Sequence, residues 1–394
     1  PSALKKNISL FCTSIILSLM LVEGVLIVQK KYLEKKNYDL KIQQYKNFTK
    51  ANFDERSKIK VYEDLKNKNQ NVSIVYAPKD YFNPKKNQIM PLSGISLKKG
   101  INCNESGYYT YFFSDRYGFN NDDKLWENKT NDYLLLGDSY GFGACVKSKK
   151  NISSILIDKH KHKRLINLSW PGNGPLTEFA TLREYINLIK PKKIIIQYYS
   201  NDIINLQKEL KNPILINYLN DDNFSQNLIH KQDEVNKWTE NIIQKEFNKF
   251  KTKKIDTNFK KISSIFIFFK LNNIRSFLKI GANKKVYKNY LNQYEKIMKK
   301  FKLLSDKYNS ELIFIYMPSQ LEIKNVILKK NSYDIEKRQL VLNVIKKLDI
   351  KIINTADAIL KINDPLTVFP FKSPNHYNEK GYRIVADELA KHLN

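Results

Sequence analysis

Five short, almost wholly apolar runs, spaced so that helical segments fit between them, constrain the fold of this chain more than anything else in it. They fall at 133–136, 165–168, 194–199, 312–316 and 350–353. A strand without polar alternation has no face to give to water, so it must be covered on both sides. In a chain that alternates strands with helices, this means a parallel sheet between two helical layers. The segment from Pro175 shows what the helices look like: Leu176, Phe179, Leu182, Tyr185, Ile186 and Ile189 recur at helical spacing. A proline at a helix start costs nothing, because its missing N–H would be unpaired there anyway. With 394 residues, the chain can bury a sizeable core and still carry attachments.

The first run leads straight into Gly137-Asp138-Ser139, followed by the glycine-broken Tyr140-Gly141-Phe142-Gly143 and a helical segment near Ile152. A serine placed there projects its hydroxyl at the carboxyl edge of the sheet, where open α/β folds carry their sites. The N–H groups of the following turn are free to meet a developing negative charge. Read alone, Gly-Asp-Ser is also an ordinary turn sequence.

The formal net charge of +29 and pI of about 9.6 invite a nucleic-acid partner. The kind of base argues against one. Only 7 of the 68 basic residues are Arg, and the Lys residues are scattered among Asn and Ile. Recognition of bases and phosphates calls for Arg forks and clustered stripes. The charge reads as a solvated face, able to attract an acidic polymer or anionic lipid head groups. Of three cysteines, Cys12 lies in an apolar segment, leaving Cys103 and Cys145 to pair if this part of the chain is outside the cytoplasm. Such a disulfide would tie the segment before the first run to the loop after Ser139. The spacing matches no zinc pattern.

Residues 8–28 are almost wholly apolar, with Lys5 and Lys6 before them and Lys30 and Lys31 after. That length spans a bilayer as a helix, and no small-x-small cleavage site follows it. An uncleaved anchor over 1–31 is expected, with Glu23 towards its far end facing the interface or a partner helix. Lysines flank both ends, so charge does not set the orientation. A polar helical stalk over about 32–65 and a β-prone appendage from 72 to about 129 complete an attachment over 32–130. It includes the turn Asp115-Arg116-Tyr117-Gly118-Phe119-Asn120, read as packing with substrate contact as the sharper alternative. The main domain covers 131–394, interrupted by a basic helical insertion at about 206–288. That insertion carries the apolar run 262–269, read as core, a lid or a membrane-lying surface.

Three chemical features coincide with the ends of the first three runs: Ser139, then Gly172 in Pro171-Gly172-Asn173-Gly174, then Asn201 in Ser200-Asn201-Asp202. A fourth, His376 in Ser373-Pro374-Asn375-His376, precedes the C-terminal helix expected at 383–393. In these blocks the chain resembles the SGNH/GDSL hydrolase family over roughly 133–394. Its anchor, stalk and 115–120 turn more loosely resemble membrane-anchored bacterial members that accompany envelope polysaccharide. The resemblance implies Ser139 as nucleophile and His376 as general base. It implies an oxyanion hole made by the N–H groups of Ser139 and Gly172 and the Asn201 amide, with Asp138 as a loop buttress. A serine hydroxyl is a weak nucleophile until a base takes its proton, and histidine titrates near neutrality. No cofactor or metal is implied. The other histidines, His160, His162, His230 and His392, read as surface residues.

Two positions depart from the family pattern. Ser373 stands where an Asp usually precedes the histidine by three residues, and Ser200 stands where a Gly usually precedes the Asn. The imidazole then depends on Ser373, a backbone carbonyl or a more distant carboxylate, Asp364 being nearest, to orient it. The expected fold is α/β, a flavodoxin-like three-layer sandwich with a central parallel five-stranded sheet, an N-terminal transmembrane helix and a small β-rich appendage. The expected function is a serine ester hydrolase or acyltransferase acting on O-acyl groups of envelope carbohydrate or lipid. It would sit in a bacterial inner membrane with its domain in the periplasm. The alternative is a non-catalytic, glycan-binding assembly protein of the same fold, for which Ser373 is the main support.

Overall fold

The computed structural model describes residues 2–86, 88–127, 132–159, 164–252, 270–277, 284–330 and 333–393. They fall into two compact units, Pro1–Phe53 with Phe247–Tyr287, and Asp54–Glu246 with Lys288–Asn394. In the first, the apolar and polar N-terminal stretches form one unbroken helix, Ser2–Thr49, because nothing between Val28 and Tyr32 caps or breaks it. This helix is long and apolar enough to cross a membrane. Its apolar side chains are exposed, Leu21 at 69% and Val25 at 57%, whereas Glu23 is 1% exposed. The Glu23 carboxylate accepts hydrogen bonds from the N–H of Asn273 (3.0 Å), the Asn273 amide (2.8 Å) and the N–H of Ile274 (2.9 Å). The run 262–269 lies outside the described residues.

The second unit holds both sheets. The helix Lys58–Asn67, capped by Ser57, precedes β1 (Val72–Ile74), β2 (Lys99–Ile101) and β3 (Tyr111–Phe113). In this small sheet β1 runs parallel to β2, and β3 antiparallel to it. The 115–120 turn is packing: the buried Asp115 carboxylate accepts from Tyr117 N, Phe119 N, the Asn121 amide and the Trp126 indole.

The large sheet comprises β4 (Tyr133–Leu136), β5 (Leu165–Asn167), β6 (Lys193–Tyr198), β7 (Glu311–Tyr316) and β8 (Lys351–Asn354). Its spatial order is β5-β4-β6-β7-β8, and every pairing is parallel. This is the flavodoxin-like order, in which the chain steps from β4 to β5 on one side and then returns to β6 on the other. The crevice at that reversal, outside the carboxyl ends of β4 and β6, is where such folds bind ligands. The apolar runs of β4, β6 and β7 are buried as expected, Leu134, Leu135, Leu136, Ile194, Ile195, Ile313 and Phe314 all being 0% exposed, whereas the edge strand β8 is only partly covered. The helix Pro175–Ile189 lies almost wholly in the core. The last helix, Glu379–Ala390, begins four residues before the expected start, because the Asn378 side chain caps Lys380 N and Gly381 N.

Candidate active site

The turn that carries Ser139 is built by its neighbours. Asp138 caps the short helical turn Ser139–Phe142 by accepting from Tyr140 N (2.8 Å), and Gly143 closes it in the left-handed region at φ 79°. Gln197, buried on β6, takes the N–H groups of Asp138 (3.2 Å) and Gly141 (2.9 Å) on one oxygen. A Cβ at Gly141 would stand 2.4 Å from Ser169 Oγ, so only glycine lets the turn settle this closely between β5 and β6.

His376 reaches this turn from the other end of the chain. Its Nε2 lies 2.8 Å from Ser139 Oγ. Tyr140 is stacked on Tyr199, with ring centroids 3.7 Å apart, and lies 4.8 Å from the imidazole centroid. The Tyr140 hydroxyl donates to Asn375 O, and that of buried Tyr377 to Pro318 O (2.6 Å). This aromatic shelf holds the histidine loop at its height over the sheet edge.

The far side of the ring holds the feature that sequence reasoning missed. Glu105, in the loop between β2 and β3, accepts from His376 Nδ1 at 2.9 Å and from the His376 backbone N–H at 2.7 Å. Ser373 and Asp364, the expected orienting residues, do not face the ring. Ser373 Oγ donates to Phe371 O, and Asp364 pairs with Lys372 Nζ at 2.6 Å while capping the turn Pro365–Val368. Both are engaged locally, by partners in their own loop. The signal that leads to Glu105 is the cysteine pairing: a bridge from Cys103 to Cys145 brings the residues flanking Cys103 to the loop after Ser139.

That bridge is present, with the Cα atoms 4.9 Å apart. Cys145 Sγ lies 3.8 Å from His376 Nδ1. Glu105, Cys145 and His376 form the one group of metal-ligand types among the described residues. The sulfur is already in the disulfide, however, and the carboxylate and ring nitrogen are bonded to each other.

The charges around the ring stabilise its protonated form relative to a free imidazole. Burial pulls His376 down, but the hydrogen bond and charge of Glu105, with Asp138 beyond, outweigh it and leave the ring above its ordinary 6.5. Lys58 opposes this; its own ammonium is pushed down to about 8 by burial, against the pull of Glu105.

The loops that carry the remaining sequence-derived residues are bonded to the residues just before the serine. Trp170 N donates to Gly137 O (3.1 Å), drawing the loop that carries Gly172 to the Ser139 turn. Gly172 adopts φ 87°, and a Cβ there would meet Ala77 Cβ at 2.5 Å. The N–H groups of Ser139 and Gly172 are not engaged by other described residues. Asn201 follows β6 and donates its amide to Asp138 Oδ2 (3.1 Å), so Asp138 orients both the serine turn and this amide. Beneath them lie the buried acids Glu178, Asp202 and Glu209. Burial first, then the neighbouring carboxylates, pushes Glu178 and Asp202 well up. Glu209 accepts from Gly174 N, Leu176 N and Thr177 Oγ1 (2.7, 3.0 and 2.5 Å), fixing the helix start that follows the Gly172 loop.

No protein-family model and no curated protein matches the chain. Several solved structures are similar to it. An acetyl xylan esterase is 13% identical and is matched over 66% of this chain and 100% of its own, with a TM-score of 0.38. A member of the lipolytic protein G-D-S-L family from Veillonella parvula DSM 2008 is 11% identical, over 66% and 96%, at 0.37. The lipase/acylhydrolase from Enterococcus faecalis is 9% identical, over 66% and 95%, also at 0.37.

Proposed function

We propose that the chain is a serine ester hydrolase or acyltransferase of the SGNH type, working through an acyl-enzyme on Ser139. One observation carries the reading: a serine hydroxyl, an imidazole and a carboxylate in hydrogen-bonded series, Ser139 Oγ to His376 Nε2 at 2.8 Å and His376 Nδ1 to Glu105 at 2.9 Å. With Nδ1 protonated towards Glu105, Nε2 is the basic nitrogen and takes the serine proton as Oγ attacks an ester carbonyl. Glu105 stabilises the imidazolium that results. The oxyanion is received by the N–H groups of Ser139 and Gly172 and by the Asn201 amide. Collapse expels the alcohol, which takes its proton from Nε2, and leaves the acyl group on Ser139. Water or an acceptor hydroxyl, deprotonated by the same nitrogen, then releases it.

The substrate we propose is a small O-acyl group on an envelope carbohydrate or lipid. The anchor-like helix supports a membrane location, and a disulfide beside the site supports an oxidising compartment such as the periplasm. The non-catalytic alternative loses its main support, since a carboxylate does face the imidazole. The test is hydrolysis of p-nitrophenyl acetate. Turnover is expected from the full chain and its abolition in Ser139→Ala. Equal rates for the two proteins would refute the assignment.

A further inference from the structure

The acid of this site does not come from the loop that carries the histidine. It is borrowed from the β2–β3 loop, 271 residues away in sequence. Glu105 makes no backbone hydrogen bond among the described residues. Its loop is closed on itself by Thr110 N to Cys103 O (3.1 Å) and Gly107 N to Asn104 Oδ1 (2.9 Å), and held to the segment before the helix Lys58–Asn67 by the Asn104 amide on Asp54 O (2.6 Å). None of these bonds reaches the nucleophile turn. The covalent link to that turn is Cys103–Cys145, two residues before the acid and six after Ser139. Cys145 holds a left-handed backbone, φ 63°, which a residue with a Cβ adopts at some cost unless its surroundings impose it.

We propose that the Cys103–Cys145 disulfide is a positioning element of the catalytic site: it holds Glu105 against His376, and its reduction releases the acid while the sheet core stays folded. This rests on the reading of Ser139, His376 and Glu105 as a triad. The balanced step is reduction by a dithiol, which converts the disulfide to two thiols as the dithiol becomes a disulfide. The freed Cys145 thiol then lies beside Nδ1, where it is a poor substitute for a carboxylate. The charged groups that set the imidazole are Glu105, Asp138 and Lys58. Withdrawal of Glu105 leaves burial and Lys58 to pull the ring down, opposed by Asp138 alone.

The experiment is NMR titration of the His376 imidazole in the full chain, oxidised and then reduced with dithiothreitol, with EDTA present so that no metal occupies the freed thiol. Circular dichroism and the kinetics of p-nitrophenyl acetate hydrolysis accompany it. The oxidised protein should titrate above 6.5 and the reduced protein distinctly lower. Expected with this are a fall in kcat of between about tenfold and about 10⁴-fold, the latter being the cost of losing the acid outright, an unchanged fold and recovery on reoxidation. A Cys103→Ala/Cys145→Ala double variant should behave like the reduced protein. An unmoved His376 titration after complete reduction overturns the proposal. So does loss of the folded spectrum, which assigns the bridge to stability alone. If the oxidised protein shows the raised titration but no turnover, the triad reading fails while the positioning role stands.

A second, independent observation concerns Glu23. It sits in the apolar stretch five residues before Val28, roughly 8 Å inside that end of the stretch at 1.5 Å per residue. A carboxylate facing lipid is costly, yet this one is buried against Asn273 and Ile274, whose three N–H groups it accepts. We infer that the segment Asn272–Phe277 is embedded in the lipid bilayer beside the anchor, held there by Glu23. This rests on the anchor crossing a membrane. The test places a polarity-sensitive fluorophore at Asn272→Cys or at Val25→Cys, in a Cys12→Ser background, in phosphatidylethanolamine/phosphatidylglycerol vesicles carrying doxyl-lipid quenchers. Quenching at both sites is expected, and Glu23→Leu should abolish it at 272 alone. Quenching at 25 without 272 overturns the inference; quenching at neither overturns the membrane crossing and the inference with it.

Discussion

Replacing Glu105 by glutamine is the most searching substitution the structure offers. The side chain keeps its size, and it is 23% exposed, so no cavity opens and the fold is little disturbed. What changes is the partner of Nδ1. The carboxylate accepts from Nδ1–H at 2.9 Å and from the His376 backbone N–H at 2.7 Å. An amide oxygen can keep one of these bonds, and its NH2 then faces the other. If the NH2 faces Nδ1, the ring must protonate at Nε2, and the nitrogen facing Ser139 is no longer a base. The loss of charge also removes what stabilises the imidazolium. Losing the acid in a serine triad costs about 10⁴ in kcat, which corresponds to about 5.5 kcal/mol of transition-state stabilisation. We expect a fall of about 10³ to 10⁴ in kcat with KM nearly unchanged, measured on p-nitrophenyl acetate. The pH profile should move as well. In the wild type, activity rises as His376 loses its proton above 6.5; in Glu105→Gln this limb shifts to lower pH, since burial and Lys58 then dominate. Activity within about threefold of wild type, with an unmoved limb, would refute the reasoning.

Other substitutions separate the parts of the site. Asn201→Ala removes the proposed oxyanion donor and should lower kcat by about 10² to 10³, with some loss in melting because the buried Asp138 carboxylate loses a hydrogen bond. Ser373→Ala and Asp364→Asn, which touch neither ring nitrogen, should leave kcat within about twofold; a loss like that of Glu105→Gln would restore them as orienting groups. Glu209→Ala strands the N–H groups of Gly174 and Leu176 and the Thr177 hydroxyl in a buried site and should cost about 3 kcal/mol or more in chemical denaturation. Because His376 is raised when folded, its pairing with Glu105 stabilises the fold fully below about 6.5 and is lost as pH rises through the folded value. The melting difference between wild type and Glu105→Gln should therefore be largest near pH 6 and shrink towards pH 9. The ring is about a quarter exposed, so the difference will be small.

The runs that became β4 to β8 were legible because a sheet covered on both faces leaves each strand one requirement, that it be apolar, and Leu134 to Leu136 or Ile194 to Ile196 meet it without exception. The placement of Ser139, Gly172, Asn201 and His376 near element ends was legible because such ends are set by local chemistry, whereas the roles proposed for them rest on the family resemblance. Glu105 was not legible, because its role depends on a tertiary contact between two loops. Nothing in Asn104-Glu105-Ser106 distinguishes this carboxylate from a solvated one. The Glu209 clamp was hidden for a similar reason: on the helix Asp202–Glu209 it reads as an exposed last-turn residue, and only the fold shows it 0% exposed under the Gly172 loop. The early start of the last helix reflects a cap, Asn378, which outweighs Gly381 in its first turn.

The most direct test is covalent. Incubation of the full chain with a fluorophosphonate, followed by peptide mass spectrometry, should give one phosphonyl adduct, on the peptide containing Ser139. It should be absent from Ser139→Ala and strongly slowed in Glu105→Gln. A folded wild-type protein that takes up no probe, or an adduct that persists in Ser139→Ala, would contradict the acyl-enzyme mechanism.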